Sequence, residues 1–211
     1  MSGTKDKILV VDLGISNILS LKNAIEFCGA KVIVSNKKEE IKNCDKLILP
    51  GVGSFSKGMK NLNRLKIKDA LIRHCYDNKF LLGICLGMQL LFKDSFENGH
   101  FQGLNILKGS IKKLPSKKKS IKIPHINWAE VEFKKNNKVP FLKNIKSKSY
   151  YYFVHSYYAS NIENKNLLGQ TKFGSFIFPS VVRKNNIYGI QFHAEKSSAN
   201  GIQMLKNFLK L

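Results

Sequence analysis

The sequence contains little negative charge and no long apolar run. Its 211 residues include 14 acidic and 36 basic side chains, which gives a formal net charge of +22. No apolar stretch approaches the ~20 residues that a membrane-spanning helix needs. The N-terminus lacks the apolar segment and the small-residue cleavage site of a secretory signal. We therefore expect no membrane partner and a cytoplasmic location.

Cysteine is also scarce. Cys28, Cys44, Cys75 and Cys85 lie far apart in the sequence. Their spacing matches neither a disulfide framework nor a metal site. We therefore expect no metal, no cofactor and a reducing compartment in which each cysteine is a thiol.

The positive charge comes almost entirely from lysine. Only Arg64, Arg73 and Arg183 are arginines, although arginine is the better bidentate ligand for phosphate and guanine. The lysines are scattered, with one dense run at 117–119, and no helix-turn-helix, zinc-finger or RNA-binding motif accompanies them. We expect a solvated lysine-rich surface and no nucleic acid partner. A polyanion-binding protein stays open as the non-enzymatic alternative.

Four short apolar runs in the first 85 residues predict strands, and the first has the continuous β-branched sequence of a strand buried on both faces. They are KILVVDLG (7–14), AKVIVSN (30–36), DKLILPG (45–51) and FLLGIC (80–85). Helical spacing of apolar residues follows three of these runs. It predicts a helix capped by Ser16 or Asn17 and ended by Gly29, a helix over 56–78, and a helix opened by LGMQLLF (86–92).

From about residue 103 the pattern changes to short alternating segments joined by turns, which predict mixed or antiparallel strands. SANGIQMLKNFLKL (198–211) predicts a last helix. Strands that alternate with helices indicate right-handed crossovers and a parallel sheet. The sequence thus predicts a single α/β domain over residues 1–211. Its sheet is open, mostly parallel and covered by helices on both faces, with an antiparallel extension.

Cys85 lies between Gly83 and Gly87, where the fourth strand meets a helix. Reactive residues of open α/β sheets lie beyond the carboxyl ends of the strands. Gly-x-Cys-x-Gly is the sulfur counterpart of the Gly-x-Ser-x-Gly nucleophile turn, whose glycines leave room for a tight, strained backbone. The N-terminal end of the following helix favours a thiolate. We predict that Cys85 is a nucleophile and that the other three cysteines are structural.

A thiolate that attacks an acyl group needs a base. His193 ends the strand-like IYGIQF and precedes Glu195 by two residues, so the carboxylate can fix the imidazole tautomer in a Cys–His–Glu triad. Of the other histidines, two follow strand-like segments and stay as alternatives, and two lie in polar contexts typical of a surface: His125 and His155, and His74 and His100, respectively.

Acyl chemistry also needs an oxyanion hole. The second glycine turn, Gly51-Val52-Gly53, follows the third strand and can direct a backbone N–H towards the thiol. The N–H of Leu86 is the other candidate donor. An ordinary Pro-Gly turn is the alternative interpretation.

These motifs together resemble the class I, triad-type glutamine amidotransferases. Within that class the chain is similar to the glutaminase subunits of imidazole glycerol phosphate synthases. The resemblance covers residues 7–211 and is carried by VDLGISNILSLKNA, PGVGSF, GICLGMQLLF, PHINW, YFVHSYY and GIQFHAEKS.

The resemblance implies an activity and a partner. Cys85 would attack the carboxamide of glutamine and release ammonia, with His193 moving the protons and Glu195 orienting it. The ammonia would pass to a (β/α)₈ barrel synthase subunit, the partner in a heterodimer, which makes imidazole glycerol phosphate and an aminoimidazole carboxamide ribonucleotide. Low activity without that partner is implied, with Val52 as the point where the oxyanion hole switches.

The resemblance also implies roles for residues around the triad. Gly51, Gln89 and the backbone of Ser156 and Tyr157 would hold the substrate. Asn17 and Lys196 would lie at the partner interface, where a basic face could meet an acidic barrel mouth.

The chain departs from the family pattern at three positions. Ala194 stands where the family usually has proline between the two triad residues, which removes a restraint on the backbone there. Ser16 and Asn127 stand where glycine is usual, near the expected partner surface. Because the acceptor site lies on the partner, a paralogous glutaminase that amidates a surface-sugar precursor stays open, as does a cysteine hydrolase on a similar sheet.

Overall fold

A computed structural model describes residues 6–115, 122–134 and 139–211, and the structural statements below refer to those residues. The lysine run at 117–119 lies outside them. Within the described ranges, no helix is long and apolar enough to cross a membrane.

The first part of the chain alternates strands with helices, as predicted. Its elements are β1 (Ile8–Val11), α1 (Ile18–Phe27), β2 (Val32–Ser35), α2 (Lys38–Asn43), β3 (Lys46–Gly51), α3 (Phe55–Arg64), α4 (Lys68–Tyr76), β4 (Phe80–Cys85) and α5 (Leu86–Leu90). All residues of β1 and β3 are buried, which agrees with their continuous apolar sequences.

The second part is dominated by strands. They are β5 (Phe92–Ser95), β6 (Phe101–Gln102), β7 (Leu107–Lys113), β8 (His125–Phe133), β9 (Lys148–His155), β10 (Tyr157–Ser160), β11 (Leu167–Phe173), β12 (Phe176–Lys184) and β13 (Ile187–Ile190). Helix α6 (Ser198–Leu209) closes the chain, and 3₁₀ turns span Pro140–Leu142, Asn164–Asn166 and Ala194–Lys196.

Nine strands form one mixed sheet in the order β2-β1-β3-β4-β13-β12-β11-β8-β9. The pairs from β2 to β13 are parallel, and those from β13 to β9 are antiparallel. The predicted α/β class and its antiparallel extension are confirmed. The prediction did not include the separate four-stranded sheet β10-β7-β5-β6.

Side chains alternate between two hydrophobic clusters, one on each face of the parallel part of the sheet. Val10 of β1 belongs to the cluster that contains Ile25 of α1 and Phe208 of α6. Its neighbour Leu9 belongs to the other cluster, which contains Leu71 of α4. The sheet is therefore covered on both faces, and the carboxyl ends of β3 and β4 stay together at one edge.

The structure corrects two local predictions and adds a helix. The helix expected over 56–78 is two helices, because Lys66 has a left-handed backbone (φ 55°) that ends α3 before α4 begins. Helix α2 was not predicted. His74, expected at the surface, is 2% exposed, because α4 packs it against the sheet, where it hydrogen-bonds the Phe80 carbonyl at 3.1 Å.

Candidate active site

Cys85 occupies a strained turn between β4 and α5. Its φ of 53° and ψ of −112° lie outside the conformations that non-glycine residues ordinarily adopt. The turn places the thiol beside the first peptide groups of α5, whose N–H groups have no partner within the helix. Backbone strain of this kind, at the carboxyl end of a central strand, is typical of an active site.

The two flanking glycines are required by packing. A Cβ on Gly83 would lie 2.7 Å from the Cα of Met88, and a Cβ on Gly87 would overlap the carbonyl oxygen of Leu49. Neither neighbour is a flexible side chain that could move aside. The predicted mechanical role of the glycines is therefore confirmed.

His193 and Glu195 form a buried pair beyond the end of β13. Nδ1 of His193 lies 2.8 Å from Oε1 of Glu195, so Nδ1 carries a proton and its N–H donates a hydrogen bond to the carboxylate. Nε2 has no hydrogen-bond partner among the described residues. Burial lowers the pKa of His193, but the Cys85 sulfur and the Glu195 carboxylate raise it to a net value of about 10. The imidazole therefore interacts with both Cys85 and Glu195, the two groups that the sequence analysis placed in one triad with it.

Hydrogen bonds restrain the backbone where proline is replaced by Ala194. The Ser197 hydroxyl donates to the His193 carbonyl and accepts the N–H of Tyr152 at 3.0 Å. The N–H of His193 donates to the Tyr152 carbonyl at 3.0 Å. These bonds tie the His193–Glu195 segment to β9, so a ring at Ala194 is not the only restraint available.

A cavity of about 290 Å³ opens beside the thiol and collects most of the predicted site. Seven predicted residues line it, namely Val52, Gly53, Cys85, Leu86, Gln89, Ser156 and Tyr157. Four further residues were not assigned to the substrate site, namely Glu97, Pro124, Val154 and His155. Gly51 lies behind the wall, because it pairs with Cys85 in the sheet and a Cβ there would lie 3.0 Å from the Cβ of Leu86.

The Val52 peptide does not point its N–H into the cavity. That N–H donates to the carbonyl of Ile15 at 2.8 Å. The expected oxyanion donor is therefore not in place in this conformation, because one N–H cannot serve two acceptors in opposite directions. Gly53 has a φ of +106°, and no atom of the described residues lies within 4 Å of the position that its Cβ would take.

Gln89 is buried and anchors the opposite wall. Its Nε2 donates to the Tyr157 carbonyl and to Oε1 of Gln191, each at 3.0 Å. Gln191, which the sequence did not single out, donates in turn to the sulfur of Cys85 at 3.7 Å. Both N–H groups of Gln89 are thus used within the protein, while its Oε1 has no partner among the described residues.

Glu97 is the acidic group that sequence reasoning missed. Its Oε2 accepts the N–H of Phe55 at 2.6 Å, at the N-terminus of α3. Burial raises the pKa of Tyr157, which lines the same cavity, and the nearby Glu97 charge raises it further. No motif marks this loop residue, and only its sign within a basic chain could have drawn attention to it.

The remaining predicted residues lie away from the cavity walls. Oδ1 of Asn17 caps α1 by accepting the N–H of Ser20 at 3.3 Å. Lys196 is exposed at the end of the 3₁₀ turn that contains Glu195. Contact of either residue with a partner stays a prediction. Among the described residues, no group of three or more His, Cys, Asp or Glu could hold a metal ion.

Comparisons with known proteins agree with the motifs. The sequence model of the family "Glutamine amidotransferase class-I" matches residues 9–211. The chain is 42% identical over 199 residues to the "Imidazole glycerol phosphate synthase subunit HisH" of Caldanaerobacter subterraneus subsp. tengcongensis, covering 94% of this chain and 95% of that one. The protein of the same name from Methanocaldococcus jannaschii is 41% identical over 202 residues, at 96% and 98% coverage.

Solved structures show the same fold at low sequence identity. A putative GMP synthase protein from Thermoplasma acidophilum superposes with a TM-score of 0.72 at 19% identity, over 99% of this chain and 94% of that chain. The PurLQS structure from Thermotoga maritima gives 0.73 at 19% identity, over 98% and 99%. At this identity the likeness concerns the fold alone. The family resemblance drawn from the sequence is confirmed by the family match and the curated relatives together.

Proposed function

Because this chain belongs to the class-I glutamine amidotransferases, we propose that it is the glutaminase subunit of an imidazole glycerol phosphate synthase. It hydrolyses glutamine to glutamate and ammonia and passes the ammonia to a (β/α)₈ barrel synthase subunit. The observation that supports this most is that Cys85 and Gln89 line one cavity, while the buried His193–Glu195 pair lies by the Cys85 sulfur. The names of relatives about 40% identical over nearly the full chain support the choice of synthase.

The chemistry follows from the arrangement of the triad. The Cys85 thiolate attacks the carboxamide carbon of glutamine, and protonated His193 gives a proton to the departing ammonia. A glutamyl thioester is left on Cys85. Water then attacks the thioester while His193 takes its proton, which releases glutamate and restores the Cys85 thiolate and protonated His193. Glu195 accepts the Nδ1 proton in a hydrogen bond throughout and keeps Nε2 towards the sulfur.

The amino-acid end of glutamine is held by acceptors at its ammonium group and by donors at its carboxylate. The α-ammonium is placed against the Glu97 carboxylate and the unused Oε1 of Gln89. The carboxylate is placed against the backbone N–H groups of the Ser156–Tyr157 segment. The carbonyls of that segment are already used, since Ser156 accepts the N–H of Leu114 and Tyr157 accepts from Gln89.

The oxyanion hole is incomplete until the glycine turn rearranges. The N–H of Leu86 supplies one donor, and the N–H of Val52 becomes the second when its bond to Ile15 breaks. The N–H of Gly53 follows in the same turn. This rearrangement gives the partner a way to control activity, because a partner that stabilises the turned peptide raises the glutaminase rate.

The surface of this chain on which the partner docks is the exposed face of β8 and β9. Ile126 and Trp128 are 56% and 44% exposed, and they pair with Val154 and Tyr152 on the same face. Val154 also lines the cavity, so this apolar face continues to the mouth of the site. Asn17 and Lys196 add polar contacts to the interface with the partner.

The decisive experiment measures ammonia release from glutamine by the chain alone and with the barrel partner and its nucleotide ligand. We expect near-background activity alone, a rise of about a hundredfold or more with the partner, and none in Cys85→Ala. Cys75→Ala is the matched control and should retain the activity. If the partner gives no rise although the thiol reacts with a glutamine-analogue electrophile, the chain serves another synthase. If the Cys85 thiol does not react at all, the proposed glutaminase activity is overturned.

The docking surface has its own test. Trp128→Ala should weaken binding of the barrel partner by about tenfold or more, as expected for an aromatic anchor. Tyr76→Ala removes an aromatic side chain that is even more exposed but lies on α4, and it should leave binding unchanged. Equal effects of the two variants in a titration of the partner would contradict this surface.

A further inference from the structure

The buried histidines His125 and His155 are not used by the triad. Nδ1 of His125 lies 3.3 Å from Nε2 of His155, and Nδ1 of His155 lies 2.8 Å from the Tyr157 carbonyl. Both side chains are almost fully buried, and His155 lines the cavity. The two imidazoles thus form a chain of hydrogen bonds that ends on a carbonyl of the cavity wall.

The geometry fixes the direction of these hydrogen bonds. A carbonyl oxygen only accepts, so Nδ1 of His155 must carry the proton. Burial lowers the pKa of His155 to about 3 and that of His125 to about 4, so both rings are neutral near pH 7. A neutral imidazole has one N–H, which leaves Nε2 of His155 as an acceptor and makes Nδ1 of His125 the donor.

The chain of bonds ends on a peptide that is held from two sides. The Tyr157 carbonyl accepts from His155 and from Nε2 of Gln89, which uses both of its lone pairs. The preceding carbonyl, that of Ser156, accepts the N–H of Leu114 at 2.9 Å. Two consecutive peptides of the wall are thus oriented by named donors.

The other end of the chain lies at the exposed apolar face. His125 is the first residue of β8, and the next residue, Ile126, is among the exposed apolar side chains. His125 also packs against aromatic rings, with centroids 5.2 Å from Phe153 and 4.8 Å from Phe173. A buried histidine in such a place is either an aromatic filler or a donor, and the two roles make opposite predictions.

We propose that His125 and His155 are positioning residues, whose directed hydrogen bonds hold the segment 154–157 in its glutamine-binding form and tie it to the start of β8. The role of the segment in binding glutamine rests on the proposed function. Without the His125 donor, Nε2 of His155 is a buried acceptor with no partner. The His155 ring then loses the second of the two bonds that fix its orientation, and its Nδ1–H is aimed less firmly at the Tyr157 oxygen, which weakens the bond that orients the peptide.

Two variants of His125 separate the donor from the filler. His125→Asn keeps an N–H near the position of Nδ1 but loses the ring, whereas His125→Phe keeps the ring and loses the N–H. We expect His125→Phe to raise the KM for glutamine about tenfold with kcat changed less than about twofold, since one buried hydrogen bond is at stake. His125→Asn should keep KM within about twofold although its Tm is the lower of the two. The reverse order in KM, or no change in either variant, overturns the proposal.

A spectroscopic measurement tests the bonds without glutamine. In protein labelled with ¹⁵N-histidine, both rings should show the neutral Nδ1–H tautomer at pH 7, and His125→Phe should shift the nitrogen resonances of His155. An Nε2–H tautomer at either ring, or unchanged His155 resonances, overturns the proposal. If the wild type has no glutaminase activity with its partner, the proposed function fails, while this measurement still decides whether the hydrogen-bond chain exists.

Discussion

Two groups of buried histidines border the candidate site, and they differ in charge. His193 bonds a carboxylate and lies by the Cys85 sulfur, and these groups raise its pKa to about 10 against the effect of burial. His125 and His155 bond each other and a carbonyl, so burial prevails and lowers their pKa values to about 4 and 3. The bonding partner, more than the depth of burial, decides which imidazole can move protons and which can only hold a neighbour in place.

The largest effect on activity is expected from removing the negative charge of Glu195, which helps to raise the pKa of His193. Glu195→Gln keeps the size of the side chain but no longer stabilises the imidazolium or its tautomer. We expect kcat for glutamine hydrolysis to fall about a thousandfold, measured by ammonia release with the partner present. Asp6→Asn, which breaks the 2.7 Å ion pair with buried Lys46 at another place in the fold, should stay within about twofold of wild type. A similar loss in both variants would mean that Glu195 matters only for folding.

Acid should reveal the neutral pair. The unfolded chain takes up protons at its histidines near pH 6.5, while folded His125 resists protonation until about pH 4. The unfolded state therefore binds more protons, and stability falls as the pH drops from 6.5 to 4. Replacing His125 by Phe should remove about 1.4 kcal/mol per pH unit of this loss, about 3 kcal/mol in all. Urea unfolding at pH 7, 5.5 and 4.5 measures it, and parallel curves for the two proteins would contradict it.

Alkali should reveal the charged pair. Folded His193 keeps its proton until about pH 10, whereas the unfolded chain loses it near pH 6.5. The stabilisation is therefore complete below pH 6.5 and is lost as the pH rises towards 10. The wild type should exceed Glu195→Gln in unfolding free energy by a margin that shrinks by about 1 kcal/mol or more over this interval. A margin that does not change with pH would show that the pair is not charged.

The smallest effect is expected from a fourth buried histidine, His74, which lies outside the cavity. His74 is neutral by burial, which lowers its pKa, and it bonds the Phe80 carbonyl through Nε2. His74→Gln keeps a donor near that position, so we expect less than about 1 kcal/mol of destabilisation and no change in KM or kcat beyond about twofold. A marked change in KM would mean that a buried histidine outside the cavity also influences the site. The different roles assigned to His193 and to the His125–His155 pair would then not be supported.

Sequence patterns predicted the elements that depend on local physics. The continuous apolar runs gave β1, β3 and β4 with bounds close to those in the structure, because a strand buried on both faces must be apolar throughout. The break inside 56–78 was not predicted, because Lys66 adopts a left-handed backbone without a glycine, asparagine or proline to mark it. The apolar spacing continues across this break, and no residue type at the break indicates it.

The two glycine turns show how far such signals extend. Gly87 has no room for a Cβ, so its turn around Cys85 can be recognised from spacing alone. Gly53 has open space around it and a φ of +106°, so its turn is held by backbone conformation and by the Val52–Ile15 hydrogen bond. The position of that loop was predictable, but the direction of its N–H was not.

By itself the sequence determined the α/β class, the position of the thiol at the end of β4 and the pairing of His193 with Glu195 two residues later, because each depends on neighbours within a few positions. Only the tertiary structure decided that Glu97 reaches the cavity, that Gln191 contacts the sulfur and that His125 and His155 bond each other. Those last two contacts join residues 106 and 30 positions apart. Hydrogen bonds and charge states depend on atoms that come together only when the sheet has formed.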